Sequence, residues 1–433
     1  MGSAAYGAFV GVLAFPWIFK FLIGPFVDNL HLKRFGARKQ WIMTAQVGMF
    51  LAFVLAMLNM PDRLEIETDE GVGPIATWKY ILTSHIGLFA LLLLIHNTLA
   101  ATQDVAIDAL ACRILKPDER GLANGIMFGS YRLGELTGGS TILWLTHRTG
   151  NFQQASVLVL VLMACIIPMV FFFVREKSAA QQMSDGELPA PPPGVSGFQQ
   201  IRSQLKDYNR TVFKSILCTW NGFFGVLLSL TPIGALALSM LLSSLIAPRI
   251  GMDRQEVAYL GYASTFVFLV FCPLGGWISD RFGRRLTLAI SASLTIIPSL
   301  WMATQFKEAG FAHPQDASAE GTWPRQEELI MAWWVATLSF TVFNSFAHGV
   351  KNALYMDIVN PKIAATQFTM FAAFTNLTNI YSKFWQSQAI DTDGWAWPLW
   401  NLLYIDAAIG LVFLVVLYLI RPEKAKNDMP AST

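Results

Sequence analysis

Eleven apolar stretches set the limits on what this chain can fold into. They run over residues 4–24, 41–58, 81–109, 122–145, 156–174, 213–246, 257–279, 286–306, 329–356, 363–386 and 397–420. At 1.5 Å per residue, an α-helix needs about 20 apolar residues to cross the roughly 30 Å hydrocarbon layer of a bilayer, and each stretch is near or beyond that length. No soluble fold has use for so many. The composition agrees: 54% of the 433 residues are hydrophobic, only 14% are charged, and mean hydropathy is +0.45. The expected fold class is all-α, a polytopic membrane protein with about 11 transmembrane helices lying in a lipid bilayer.

Lysine and arginine sort by loop. The connections holding Lys33 to Lys39, Arg113 to Arg120, Arg175 to Lys214 and Arg281 to Arg285, and the tail from Arg421, are basic; the alternating ones are acidic or nearly neutral. Basic loops stay on the cytoplasmic side, so a plasma (inner) membrane protein with a cytoplasmic carboxyl end is expected. Five spans before the linker and six after it would leave the amino end outside. The opening run lacks the basic start and small-residue cleavage site of a secretory signal. Residues 175–212 are polar, carry Pro191 to Pro193 and cannot bury a core, so they read as an inter-domain linker. The expected organisation is a helical bundle over 1–174, the linker over 175–212, a second bundle over 213–421 and a tail over 422–433.

Charges inside the apolar stretches mark the working parts. A charge in hydrocarbon costs at least ~2.5 to 3.5 kcal/mol on insertion scales, so it should face a partner or a water-filled path. Asp104 and Asp108, four apart, share one helix face, as do Arg132 and Glu135, three apart. Two carboxylates that close cannot easily both stay ionised in a low-dielectric site unless a cation intervenes, which suits a proton that binds and leaves. The structural alternative is that one of them pairs with Arg113 or Arg132 and holds two helices together. Lys20 either snorkels to the interface or serves as counter-ion to Asp104. In the second half, Lys351 and Asp357 share one stretch and can pair, Lys383 sits in an amphipathic segment that can face water, and Asp406 has no cation near it in sequence.

Other residue types exclude other functions. Cys112, Cys165, Cys218 and Cys272 are far apart and read as small apolar residues, with no metal site and no disulfide frame. The histidines have no ligand spacing; His96 and His348 fall within spans, either as satisfied structural groups or lining a cavity. No basic patch interleaved with aromatics suggests nucleic acid. No nucleophile-base pairing or phosphate loop suggests an enzyme, so no catalytic residue and no cofactor is expected. Trp333, Trp334 and Trp395 to Trp400 read as an interfacial belt, with stacking on a sugar the alternative for one of them. Gly125, Gly129, Gly134 and Gly138 predict a helix packed closely among others.

A repeat ties the halves together. GPFVDNLHLKRFGARK, beginning at Gly24 with Asp28, recurs as GGWISDRFGRR, with Gly276, Asp280, Arg281, Arg284 and Arg285; the two aspartates are 252 positions apart. Repeats of hydropathy and motif characterise two-bundle transporters. Each aspartate is placed to cap a helix end at a short loop.

These paired loops resemble the major facilitator superfamily, which implies two bundles of six helices. The first half is similar to the muropeptide permease (AmpG-type) branch of the peptide and acetyl-coenzyme A transporter family. The matching residues are FPWIFKFLIGP at Phe15 to Pro25, Asp28, TQDVAIDA at Thr102 to Ala109, ERG at Glu119 to Gly121 and YRLG at Tyr131 to Gly134. In the second half, Ala365 to Phe368 resembles a family motif, while TWNGFFGVLLSLTPIGA stands where the family has a tyrosine-lysine-leucine-glycine-aspartate pattern. The resemblance aligns the first span with the family's second helix, so either the true start lies upstream or the chain is a truncated form.

The resemblance implies a secondary active transporter, a symporter that brings a muropeptide-like solute inward with protons by alternating access, acting as a monomer. Asp104 is the expected proton carrier and Asp108 the second candidate. Gln103 belongs to the same motif; Lys20, Arg132, Lys351 and Lys383 are candidate cations for acidic solute groups, and Glu135 accompanies Arg132. Gly24, Asp28, Gly276, Asp280, Arg281, Arg284 and Arg285 are the expected gating loops. The alternatives are another solute (a sugar, an organic anion or an acyl-coenzyme A) or a membrane sensor that kept the fold and lost transport.

Overall fold

A computed structural model describes residues 12–13, 15–30, 35–60, 79, 81–84, 86–185, 210–240, 242–313, 327–360, 363–391 and 394–421. Among these the architecture is helical, with one isolated bridge between Gly36 and Ser178. The first half contains α1 (Phe15–Ile18), a tight turn at Lys20–Leu22, α2 (Gly24–Asn29), α3 (Lys39–Leu58), α4 (Gly87–Ile114) and α5 (Arg120–Glu135). It continues with α6 (Ile142–Thr149), α7 (Phe152–Phe173) and α8 (Ala179–Ser184). The second half contains α9 (Arg210–Leu217), α10 (Trp220–Ser229), α11 (Ala237–Met240), α12 (Leu242–Arg249) and α13 (Arg254–Phe282). It ends with α14 (Arg284–Leu294), α15 (Ile296–Glu308), α16 (Glu327–Ile358), α17 (Ala364–Ile390) and α18 (Leu399–Leu419).

Among the described residues seven helical segments are long and apolar enough to cross a bilayer: α3, α4, α7, α13, α14 with α15, α16 and α18. The bent pair α9 and α10, 77° apart, would make an eighth. The described parts of the other expected spans are helical as well, and each has a feature that interrupts or dilutes the apolar run; residues 4–11 and 14 of the first and 241 of the sixth lie outside the described residues. The first is interrupted around Phe19 and again before Gly24-Pro25. The fourth passes through a widened turn at Leu136–Thr141 that divides α5 from α6. The sixth is broken between Ser229 and Ala237, where Pro232 supplies no N–H and Gly234 has a φ of +65°. The tenth, α17, carries Thr, Asn, Gln and Ser at many turns.

By contact the chain sorts into two units. Unit 1 comprises Met1–Ile114, Thr137–Lys214 and Asn360–Ala373; unit 2 comprises Leu115–Leu136, Ser215–Val359 and Phe374–Thr433. In unit 1, α4 packs on α3, and Val27, Ile42, Val105, Ala109 and Ala365 bury together. In unit 2, α13 packs against α5 and α16, and Trp333, Phe306, Phe311, Leu402 and Leu403 share one core.

The beginning of the expected linker is built into unit 1. Glu176 accepts the backbone N–H groups of Arg38 and Lys39 at 3.0 and 2.8 Å, so its carboxylate satisfies donors at the start of α3 that have no partner within the helix. The Ala179 amide donates to the Phe35 carbonyl at 2.8 Å, and Ser178 with Gln181 closes a capping box on α8. Pro191 to Pro193, Lys33, Arg34 and the tail 422–433 lie outside the described residues.

Candidate functional site

The apolar background makes each buried charge conspicuous. Lys20 lies in the tight turn after α1, 5% exposed, and its ammonium donates to the Asp104 carboxylate of α4 at 2.7 Å. Of the two roles open to Lys20 in the sequence, the chain therefore uses the inward one. Asp104 keeps a 38% exposed side chain, while Asp108, one turn further along α4, is buried. Asp108 feels both Lys20 and Asp104 electrostatically, and among the described residues it forms no ion pair. One cation thus serves two carboxylates. Beside them Gln103 donates to Gln46 of α3, which fixes the motif's amide against the neighbouring helix. Arg113 instead bonds Gln182 at 3.0 Å.

Unit 2 contains a partly open cavity of about 660 Å³. Three cations line it, Arg132, Lys351 and Lys383, together with His348, and no Asp or Glu is among its lining residues. Arg132 bonds Glu135 on its own helix at 2.8 Å and stacks over the Phe268 ring at 5.1 Å. Lys351 is 5% exposed, and among the described residues its side chain makes a long 3.5 Å bond to the Thr375 hydroxyl. The Lys351–Asp357 pairing that their shared stretch left open does not form: six positions apart on α16 they do not share a face, and Asp357 pairs with Arg120 and Arg284. Lys383 is exposed and lines the cavity at its α17 wall.

Among the described residues the Trp333 indole nitrogen and the Thr337 hydroxyl, both in the lining, have no hydrogen-bond partner, while the His348 ring meets the Asn344 backbone of its own helix. Trp333 is fully buried, so this tryptophan is part of the cavity and the core and does not belong to an interfacial belt. His348 packs edge-on between Phe128 and Phe268 at 5.7 and 5.5 Å. His96, in contrast, contacts the Met49 carbonyl at 3.1 Å and is structural. Sequence reasoning read Trp333 as interfacial and passed over Thr337, Thr341 and Asn344, yet a signal was there. With His348 and Lys351 they recur every three or four residues along α16, which puts their polar groups on one helix face.

The repeated loops form two matching contacts, one within each unit. Asp28, on α2, accepts the amides of Ala365 and Thr366 at the start of α17 at 3.3 and 3.2 Å and pairs with Arg38 at 3.1 Å. Asp280, on α13, accepts the amides of Gly121 and Leu122 at the start of α5, both at 2.8 Å, and pairs with Arg284 at 2.6 Å. A carboxylate facing the exposed N–H groups and positive dipole end of a helix is favourable in both. Arg284 also reaches Asp357 and the Pro117 carbonyl. Close approach explains the glycines: a Cβ on Gly24 would sit 2.6 Å from the Thr366 Cα, and one on Gly276 would strike the Gly121 carbonyl.

Not every expected gating residue joins these contacts. Arg281 stacks on Trp277 at 4.2 Å, and Arg285 donates to the Tyr418 carbonyl at 2.7 Å, so both anchor helix surfaces. Of the spaced glycines, Gly125 meets the Cys272–Pro273 backbone, whereas Gly134 and Gly138 have open space around them. The close packing is confined to the first turns of α5.

The architecture and the repeated helix-end contacts agree with sequence comparison. A family description of the Major Facilitator Superfamily matches residues 2–377 and 229–432. The chain belongs to that superfamily. As a major facilitator it is similar to the anhydromuropeptide permease of Escherichia coli (strain K12), 23% identical over 425 residues that cover 94% of this chain and 72% of the permease. It is also similar to the putative transporter AmpG 4 of Rickettsia felis, 22% identical over 381 residues covering 86% and 78%. Among solved structures it matches the proton:xylose symporter XylE with a TM-score of 0.68 and 15% identity, over 97% of this chain and 87% of that one. The human organic anion transporter MFSD10 matches with a TM-score of 0.59 and 12% identity, over 95% and 83%. The fold and the relatives are those of membrane transporters of small solutes, and not of enzymes.

Proposed function

We propose that this major facilitator imports an anionic, hydroxyl-bearing solute of the muropeptide type together with protons, by alternating access. The observation that carries the reading is the unit 2 cavity, where among the described residues Lys351 has no carboxylate partner and Trp333 and Thr337 present polar atoms with no partner. A solute carboxylate would complete Lys351, and solute hydroxyls or amides would complete the rest. Buried polar groups left unmade are expensive, so such a cavity favours a ligand that answers each of them. The relatives named as muropeptide permeases supply the solute class.

Coupling would run through Lys20, Asp104 and Asp108. With one cation for two carboxylates, the trio holds a proton in one state and loses it in the other. Proton binding must favour one access state by its differential free energy before it can drive the change. Asp28 and Asp280, with Gly24, Gly276 and Arg284, would hold one access state closed through their helix-end contacts. The moving bodies would be the bundles 1–174 and 213–421, in a monomer with its carboxyl end in the cytoplasm.

The test is uptake of a labelled anhydro-muropeptide into vesicles, with and without an inward proton gradient, by the full chain and its Asp104→Asn, Asp108→Asn and Lys351→Met variants. Gradient-driven accumulation that is lost in the carboxylate variants, with a raised half-saturation concentration in Lys351→Met, is the expected result. No uptake by the folded parent chain would reject the solute.

A further inference from the structure

Helix α18 buries one face in the core of unit 2, formed by Leu399, Leu402, Leu403, Asp406, Ala407, Gly410 and Phe413. Asp406 is the single charge on that face and is 2% exposed. Its Oδ2 accepts the Ala237 amide at 2.8 Å and its Oδ1 accepts Nε2 of Gln386 at 2.9 Å. Among the described residues no lysine, arginine or histidine pairs with it.

The neighbours leave it alone electrostatically. Helices α10 and α11 contain no titratable side chain. On α14, Arg284 is committed to Asp280 and Asp357, and Arg285 to the Tyr418 carbonyl. Lys307 and Glu308 lie exposed at the far end of α15. On α17, Tyr381 donates to the Leu230 carbonyl and Lys383 lines the cavity. An isolated carboxylate in such a place is costly as an anion and must be stabilised by hydrogen bonds alone.

Gln386 is suited to both states of this carboxylate. It is fully buried, its Nε2 serves Asp406, and among the described residues its Oε1 has no partner. A half-turn of the amide exchanges donor for acceptor in the same place. The ionised carboxylate takes the N–H; the neutral carboxyl, with its proton on Oδ1, would donate that O–H to Oε1. The Ala237 bond on Oδ2 persists in both, but a neutral oxygen holds an amide less strongly than an anionic one.

That amide belongs to the cavity wall. Ala237 opens α11 directly after the break, and Pro232, Ile233 and Leu236 of the break line the cavity. The break is otherwise held where Thr295 Oγ1 accepts the Ala235 amide at 3.2 Å and where Gly410, one turn from Asp406, meets the Gly234 backbone.

We propose that Asp406 is a second proton-binding site, read by Gln386, through which a proton loosens the hold on Ala237 and so on the wall of the unit 2 cavity. The ligand is the proton itself; its part in transport rests on the function proposed above, but its existence does not. Any solute whose binding shifts that wall then becomes linked to proton occupancy at Asp406.

The test uses the full chain reconstituted in liposomes without solute. Infrared difference spectra across a pH titration report neutral carboxyl groups, and hydrogen exchange of residues 230–240, corrected for intrinsic rates, reports the wall. The expected result has three parts: a titrating carboxyl band absent from Asp406→Asn and present in Asp108→Asn, a midpoint moved by about tenfold or more in proton concentration in Gln386→Leu, and wall exchange that depends on pH only when Asp406 is present. If Asp406→Asn does not fold, Gln386→Leu decides alone: a displaced midpoint supports the site, and an unmoved one overturns it. Identical titrations in the parent and Asp406→Asn also overturn it. A titrating Asp406 in a parent chain that takes up no anhydro-muropeptide supports the proton site while rejecting that solute.

Discussion

Asp28 and Asp280, 252 positions apart, do the same work in the two units: each carboxylate accepts two successive backbone amides at a helix start and pairs with one arginine. The helix each one caps comes from the other half of the sequence: Asp28 holds α17 and Asp280 holds α5. The repeat in sequence is thus a repeat in bonding, with Arg38 and Arg284 in matching places.

Replacing Asp280 by Asn should keep the shape and remove the charge that two amides and Arg284 share. Hydrogen bonds to a charged group contribute about 1.5 to 3 kcal/mol each, so a loss of roughly 2 kcal/mol is expected. Thermal unfolding in detergent measures it, and Asp28→Asn should fall by a similar amount if the two contacts are equivalent.

Lys20→Met should destabilise the chain, because it leaves Asp104 and Asp108 without their cation. Breaking a fully buried pair costs about 3 to 5 kcal/mol; with Asp104 38% exposed, about half of that is expected. Lys20→Met combined with Asp104→Asn should recover most of the loss. A double-mutant cycle on unfolding gives the coupling, and additive effects would show that the pair contributes nothing.

Lys351→Met should leave folding unharmed, since it replaces a buried, weakly bonded cation with an apolar side chain of similar length. Solute affinity should fall instead. Loss of one charge-assisted contact of about 1.5 to 3 kcal/mol corresponds to roughly a 10- to 150-fold rise in the half-saturation concentration. Uptake measured against solute concentration, beside a melting curve, separates the two effects.

Gly125→Val and Gly134→Val should part company. The new side chain at 125 meets the Cys272 carbonyl and Pro273 Cα, each 2.6 Å from the Cβ position, whereas nothing stands near 134. Overpacking of about 1 to 3 kcal/mol is expected at 125. At 134 stability should hold or rise slightly, as glycine is the poorer helix residue. Equal melting temperatures would show that α5 does not pack as described.

How far the site was legible depends on the range of the interactions involved. TQDVAIDA put Asp104 and Asp108 on one face of one helix because their spacing is four, a local fact. That Lys20 is their cation could be posed from the sequence only as one of two roles, since the partners lie 84 positions apart. The polar face of α16 from Thr337 to Lys351 was readable by helical spacing and was overlooked in favour of single charges. Trp333 looked interfacial because tryptophans cluster at membrane surfaces; its burial follows from packing against Phe306 and the rest of the unit 2 core.

By itself the sequence determined that this chain is a many-helix membrane protein with a duplicated loop, because apolar length, positive charge in loops and motif recurrence are properties of contiguous residues. Tertiary structure alone decided which charge answers which. Asp357 pairs with Arg120 and Arg284, Asp28 chose a helix start 337 and 338 positions away, and Asp406 found hydrogen-bond donors in Ala237, Gln386 and the Leu236 backbone and, among the described residues, no cation. In a low-dielectric interior a charge is stabilised by its immediate neighbours, and which residues become neighbours is settled only when the helices pack.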